Sequence, residues 1–284
     1  MTQSLQSGDG RQRSVARIMG LVLLALLPGA LARIAFVGVD VAWQLLLAVP
    51  VALGFEALML KLQERPLRPF LGDLSAPLTA TLLVLLLPPA TPWWMLALGL
   101  FVAIVLAKQA FGGLGENPFN PAMAGYAALL LCFPSNFAPA LADGPWTPGG
   151  HGWVGCLYAA GGVFLIGKKI IAWQTPLAML LGAAVAALTL HFVAGQAAGI
   201  DWPGWTIATL VLAAFFIVTD PVTGCMSPRG RIFFGAGAGV LTVLLTRFGA
   251  TADGLPFAVL SMNIVAPWID RHTRPVRRQQ GPLP

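Results

Sequence analysis

FGGLGENPFNPA, residues 111–122, interrupts two long apolar stretches with three glycines, two asparagines, two prolines and a glutamate. Glycine and proline break helices, and asparagine amides carry donors and acceptors that hydrocarbon cannot satisfy. What such a segment means depends on its surroundings. Of the 284 residues, 57% are hydrophobic and only 10% charged, against about 25% charged in soluble domains. Apolar runs near the ~20 residues of a bilayer span recur along the chain, so the sequence reads as an all-α polytopic membrane protein.

Ten spans are expected, near residues 17–39, 41–60, 74–88, 92–107, 121–134, 153–167, 175–194, 205–218, 232–246 and 255–269. Several fall short of the ~17 residues that a full span needs. Short spans interrupted by Gly and Pro point to broken helices that line a site. The basic N-terminal stretch RQRSVARIMGLVLLALLPGALARI (11–34) resembles a signal peptide, but its apolar run continues to Val39, so it reads as a retained first helix. With a cytoplasmic N-terminus, every Lys and Arg except Arg33 and Arg247 falls on the inside, as the positive-inside rule expects. Both tails, 1–16 and 271–284, are then cytoplasmic. The net charge of +6 reflects this orientation and contact with anionic lipid. No nucleic-acid partner is needed to explain it.

The chain also echoes itself. LTATLLVLLLPP (78–89) shares Ala-Thr-Leu and a following proline break with TIATLVLAAFFIVTDP (206–221). AKQAFGGLGENPFNPAM (107–123) is echoed by LTRFGATADGLPFAVLSMN (245–263): a basic residue, Phe-Gly, a polar turn, an acidic residue and a Pro/Phe pair. The offset corresponds to five spans, an odd number, so approximate repeats 41–134 and 175–270 of a single domain, 1–284, face opposite sides of the membrane. Inverted repeats place a site near the midplane, where broken helices meet. Polar groups cluster in the two echoing regions: Ser75, Thr79, Thr81, Glu116, Asn117 and Asn120 in one, Thr219, Asp220, Thr223, Ser227, Asp253 and Asn263 in the other. Amides suit the edge of a neutral heteroaromatic ring, such as flavin, or urea better than a metal ion. Asn120 and Asp220 could alternatively cap the helices that follow them.

No metal or soluble-enzyme constellation is present in the sequence. Cys132, Cys156 and Cys225 are far apart, and His151 is the one histidine in a Gly/Pro-rich loop. GAGAG (235–239) lies within an apolar span, where small residues serve helix packing.

Five stretches carry a family resemblance: VLLALLPGALA (22–32), SAPLTATLLVLLLPPATPWW (75–94), AKQAFGGLGENPFNPAMAGYAALLLCFP (107–134), IVTDPVTGCMSPRGR (217–231) and DGLPFAVLSMNIVAPWID (253–270). Together, in this order, they resemble the RnfD family of the Rnf electron-transport complex and, more distantly, the related membrane component of the sodium-translocating NADH:quinone reductase. The resemblance implies ten helices in two inverted five-helix repeats on a urea-transporter-like scaffold in the bacterial inner membrane. It implies a flavin-carrying member of a complex that couples electron transfer between ferredoxin and NAD(H) to Na+ or H+ translocation, beside other membrane and peripheral redox subunits. A non-covalent riboflavin- or FMN-type site carries over onto Gly115, Asn117, Phe119, Asn120 and Pro121; Thr219 and Asp220, from the second polar cluster, are added to it as cofactor-binding candidates on the reading of the residues alone. The family's covalent FMN sits on a threonine in a Ser-x-Ala-Thr-like motif between spans five and six. That motif is missing here; Thr147, the loop's one threonine, is the candidate anchor for such an FMN if Asp143, Thr147 and Pro148 are a degenerate remnant of the motif, and a plain tight turn is the alternative. A channel or transporter for a small neutral solute, and a flavin-free structural subunit, are the competing readings.

Overall fold

The computed structural model describes residues 2–89, 91–137, 150–194, 204–251 and 253–273. Helices account for its regular structure, and no strand occurs among the described residues. In chain order they are α1 (Thr2–Val37), α2 (Asp40–Leu62), α3 (Leu67–Leu71), α4 (Ser75–Leu86), α5 (Trp93–Leu100), α6 (Pro121–Cys132), α7 (Gly150–Gly167), α8 (Gln174–Ala194), α9 (Gly204–Leu212), α10 (Pro228–Phe248) and α11 (Leu255–Thr273). A helix coincides with each of the ten expected stretches, and the short α3 was not anticipated. Five helical stretches are long and apolar enough to cross a membrane: Val15–Val37, Asp40–Leu62, Trp93–Phe111, Gln174–Val193 and Pro228–Phe248. They mark a multi-pass membrane protein. Large apolar side chains that would be costly in water, Trp43, Leu46, Phe192 and Trp268 among them, face outward, as a lipid-facing surface requires.

Close approach between helices depends on small residues. α8 packs along α10, and a Cβ on Gly182 would lie 2.5 Å from the Ala236 carbonyl oxygen. α6 packs against α5, and a Cβ on Gly125 would lie 2.5 Å from the Gly99 carbonyl oxygen. Lipid gives no hydrophobic drive for helices to associate, so backbone proximity and dispersion must hold them. α1 packs on α7, α2 on α4, and α6 on α11.

Two helices change pitch before they end. α5 runs into a π-helical segment at Phe101–Leu106, where the Ala107 N–H donates to the Val102 carbonyl at 2.8 Å. α9 does the same at Ala213–Ile217, where the Val218 N–H donates to the Ala213 carbonyl at 3.0 Å. Wider turns of this kind recur at functional sites because they re-aim the residues that follow. Here those residues are Lys108 in one case, Thr219 and Asp220 in the other.

Candidate flavin pocket

Beyond the first π-helical segment, Gly112, Gly113 and Gly115 take φ of +112°, +94° and +99°, conformations that a Cβ disfavours. They turn the chain so that Asn117 and Asn120 are buried while Gly115 and Glu116 remain exposed. Asn120 then starts α6: its Oδ1 accepts the Met123 N–H at 3.2 Å. Pro121 occupies the first helical position, where a missing N–H leaves no bond unmade. The capping reading therefore holds for Asn120. It fails for Asp220, whose carboxylate accepts the Val222 N–H and the Thr223 hydroxyl, each at 3.0 Å, in a local turn. Ser227 caps α10 instead, accepting the Gly230 N–H at 2.9 Å.

Asn263 joins the two breaks. Its Oδ1 accepts the Asn120 N–H at 3.0 Å and its Nδ2 donates to the Thr223 carbonyl at 3.1 Å. Between the breaks lies a cavity whose walls include Met19 and Val22 of α1, Ser75 and Thr79 of α4, Lys108, Asn117, Asn120 and Pro121, and Phe215, Phe216, Thr219 and Asp220. Five of the seven expected non-covalent flavin residues therefore meet in one place. Gly115 and Phe119 do not line it: Gly115 is exposed, and Phe119 contributes its carbonyl to the Asn117 Nδ2 at 2.9 Å. Thr147 lies outside the described residues. The cavity draws on the first turns of α4 and α6 and on the residues following both π-helical segments.

The walls are apolar and aromatic with a few polar atoms. Asn117 is 3% exposed, and its Oδ1 meets no donor among the described residues. Such a buried, unpaired acceptor costs about 1–3 kcal/mol. A ligand donor at the cavity would relieve it, as a flavin imide N–H or ribityl hydroxyl could. The residues present thus fit a flavin: apolar and aromatic walls, one acceptor in want of a donor, and Asn120, Thr219 and Asp220 alongside.

One wall carries a buried ion pair that sequence reasoning missed. Lys108 and Glu56 are each 1% exposed and directly paired. The Lys108 ammonium also donates to the Ser75 hydroxyl at 2.6 Å, and Gln109 Nε2 donates to the same Glu56 oxygen, Oε1, at 2.9 Å. Ser75 is set in turn by Asp73, which accepts its N–H at 2.7 Å, just after Leu74 at a strained φ of +63°. The available signal was Glu56 itself, an acid deep in an apolar stretch, which demands a nearby cation. Among the described residues, no group of three or more His, Cys, Asp or Glu side chains could hold a metal ion.

The sequence profile of the NQR2, RnfD, RnfE family matches residues 9–149 and 141–279. A protein of Escherichia fergusonii, named as the D component of an ion-translocating oxidoreductase complex, is 38% identical, with 93% of this chain and 94% of the relative covered. Proteins of the same name from Citrobacter koseri and Cellvibrio japonicus are 36% and 35% identical, covering 93% and 92% of this chain and 95% and 90% of the relatives. The first alignment runs over 331 residues, more than the 284 of this chain, so that relative carries segments with no counterpart here. By the length of the match and by these identities, the chain belongs to the NQR2, RnfD, RnfE family.

Proposed function

We propose that this chain is the RnfD-type component of an Rnf ion-translocating oxidoreductase and holds a non-covalent flavin, riboflavin or FMN, in the cavity beside Asn117. The complex would couple electron transfer between ferredoxin and NAD(H) to movement of Na+ or H+, with the chain in the inner membrane beside the other redox subunits. The observation that carries the flavin assignment is the unpaired Asn117 Oδ1 at the cavity wall. A bound flavin would supply the capacity to accept and release electrons singly. The protein's own part is binding and exclusion: Asn117 accepts from the ring or ribityl edge, Phe215 and Phe216 present apolar surface to it, and α1 and α4 keep lipid and water away. Covalent FMN on Thr147 is not part of this proposal, because the family's attachment motif is missing from 135–152.

The same proposal takes the fold as ten spans in two inverted repeats, 41–134 and 175–270, with both termini cytoplasmic and a urea-transporter-like arrangement. Reciprocal contacts support it. The first residue before α6, Asn120, is held by Asn263 in the body of α11. The turn before α11 is held by Tyr126 in the body of α6, whose hydroxyl donates to Asp253 Oδ2 at 3.0 Å, while Asp253 Oδ1 accepts the Leu255 N–H at 2.8 Å. Helices related by a two-fold axis hold one another in this way.

Flavin content of the purified chain tests the assignment. Denaturation should release flavin in near-stoichiometric amount, and intact mass should show no adduct. A colourless chain that conducts a small neutral solute across proteoliposomes would favour the transporter reading. A colourless chain without flux would favour a structural subunit.

A further inference from the structure

We propose that the Lys108–Glu56 ion pair sets the reduction potential of the group held in the cavity, Lys108 favouring its reduced form and Glu56 opposing it. The inference rests on the flavin reading above and adds to it a pair of residues and a sign for each. Three observations carry it. Lys108 and Ser75 line the cavity, whereas Glu56 and Gln109 do not. The pair therefore presents its positive end to the ligand and its negative end away from it. Both side chains are almost wholly buried, so water screens this dipole weakly and its field reaches across the wall. Finally, an ammonium has three donors. Glu56 and Ser75 take two of those of Lys108, leaving one for a ligand.

Other charges frame the effect. Asp220 lines the cavity with the opposite sign to Lys108, and Asp73 stands behind Ser75. Arg65 lies above the glycine turn, where it donates to the Gly112 carbonyl at 2.7 Å. Of these groups, Lys108 is the buried cation in the wall. Entry of one electron makes the ligand one charge more negative, and Lys108, itself buried in the wall, lowers the cost of that charge. Glu56, one pairing distance further back, raises it. The electron comes from the donor subunits of the complex or, in a titration, from dithionite.

The test is a reductive titration, followed by absorbance, of the flavin-containing full-length chain and its charge variants. Lys108→Gln should make the bound flavin harder to reduce, by at least tenfold in the one-electron equilibrium, or about 59 mV. Glu56→Gln should shift it the opposite way. The double variant Glu56→Gln/Lys108→Gln should return toward the unmodified protein, and Lys108→Arg, which keeps the charge, should move little. A merely structural pair would not give shifts of opposite sign that cancel. Flavin retained at an unchanged potential in Lys108→Gln and Glu56→Gln, or shifts of the same sign in both, would overturn the inference while leaving the flavin site intact. No flavin in the unmodified chain would remove the site and the inference together. Should the Gln variants lose their flavin, Lys108→Arg decides: an unaltered potential supports the charge role, and a marked shift opposes it.

Discussion

The two polar breaks, 112–120 and 218–227, share composition but not bonding. In the second, nearly every polar group found is used: Asp220 closes its own turn, and Asp270 of α11 accepts the Met226 and Ser227 N–H groups at 2.9 and 3.0 Å. In the first, Asn117 keeps a buried acceptor unpaired at the cavity. One break braces helices; the other is left incomplete where a ligand would sit. The difference teaches that a polar segment whose groups are satisfied serves the scaffold, and that an unpaired acceptor in a cavity wall is a place where a ligand can bind.

Asn263, which serves both breaks, gives the largest expected effect. Asn263→Leu strands the Asn120 N–H and the Thr223 carbonyl, two buried groups at about 1–3 kcal/mol each. Thermal unfolding of the detergent-solubilised chain should fall markedly, with loss of flavin. A stable Asn263→Leu protein that still binds flavin would show that the breaks do not depend on each other.

Asp270→Asn comes next. It keeps an acceptor but removes the charge from the bonds to Met226 and Ser227, and charge-assisted bonds are worth roughly 1.5–3 kcal/mol against about 1 for neutral ones. A destabilisation of about 1–2 kcal/mol with flavin retained would mark this break as bracing. Loss of flavin with unchanged stability would reverse the roles assigned to the two breaks.

Much of this comparison was legible from residue types. The amides of FGGLGENPFNPA were expected to face the protein, and Asn117 and Asn120 are buried and meet Pro121, Thr219 and Asp220 at one cavity, while Gly115 and Glu116 face outward. Which break would bind was not legible, since Asp220 and Asn117 look equally free until the Asp220 turn closes on Val222 and Thr223. Gly115 does not line the cavity, because a glycine needed for φ of +99° turns the chain outward as readily as it bares backbone to a ligand. The Lys108–Glu56 pair was hidden by distance: 52 residues separate its members, and only the packing of α2 against the segment after α5 joins them. Lys108 also satisfied the positive-inside pattern, which made it look like an ordinary loop cation.

The smallest effect on stability, and the sharpest on function, should come from Asn117→Ala. The substitution deletes the bond to the Phe119 carbonyl, worth about 1 kcal/mol, and also the unpaired Oδ1, whose burial costs about as much or more. The two changes oppose each other, so the unfolding temperature of the flavin-free protein should scarcely move. Flavin affinity should nevertheless fall roughly tenfold, the equivalent of one net hydrogen bond of about 1.4 kcal/mol, as read by fluorescence of flavin released on dilution. A protein that unfolds earlier yet binds flavin unchanged would make Asn117 a brace like Asp220, and the incomplete break would then have to be sought at another wall of the cavity.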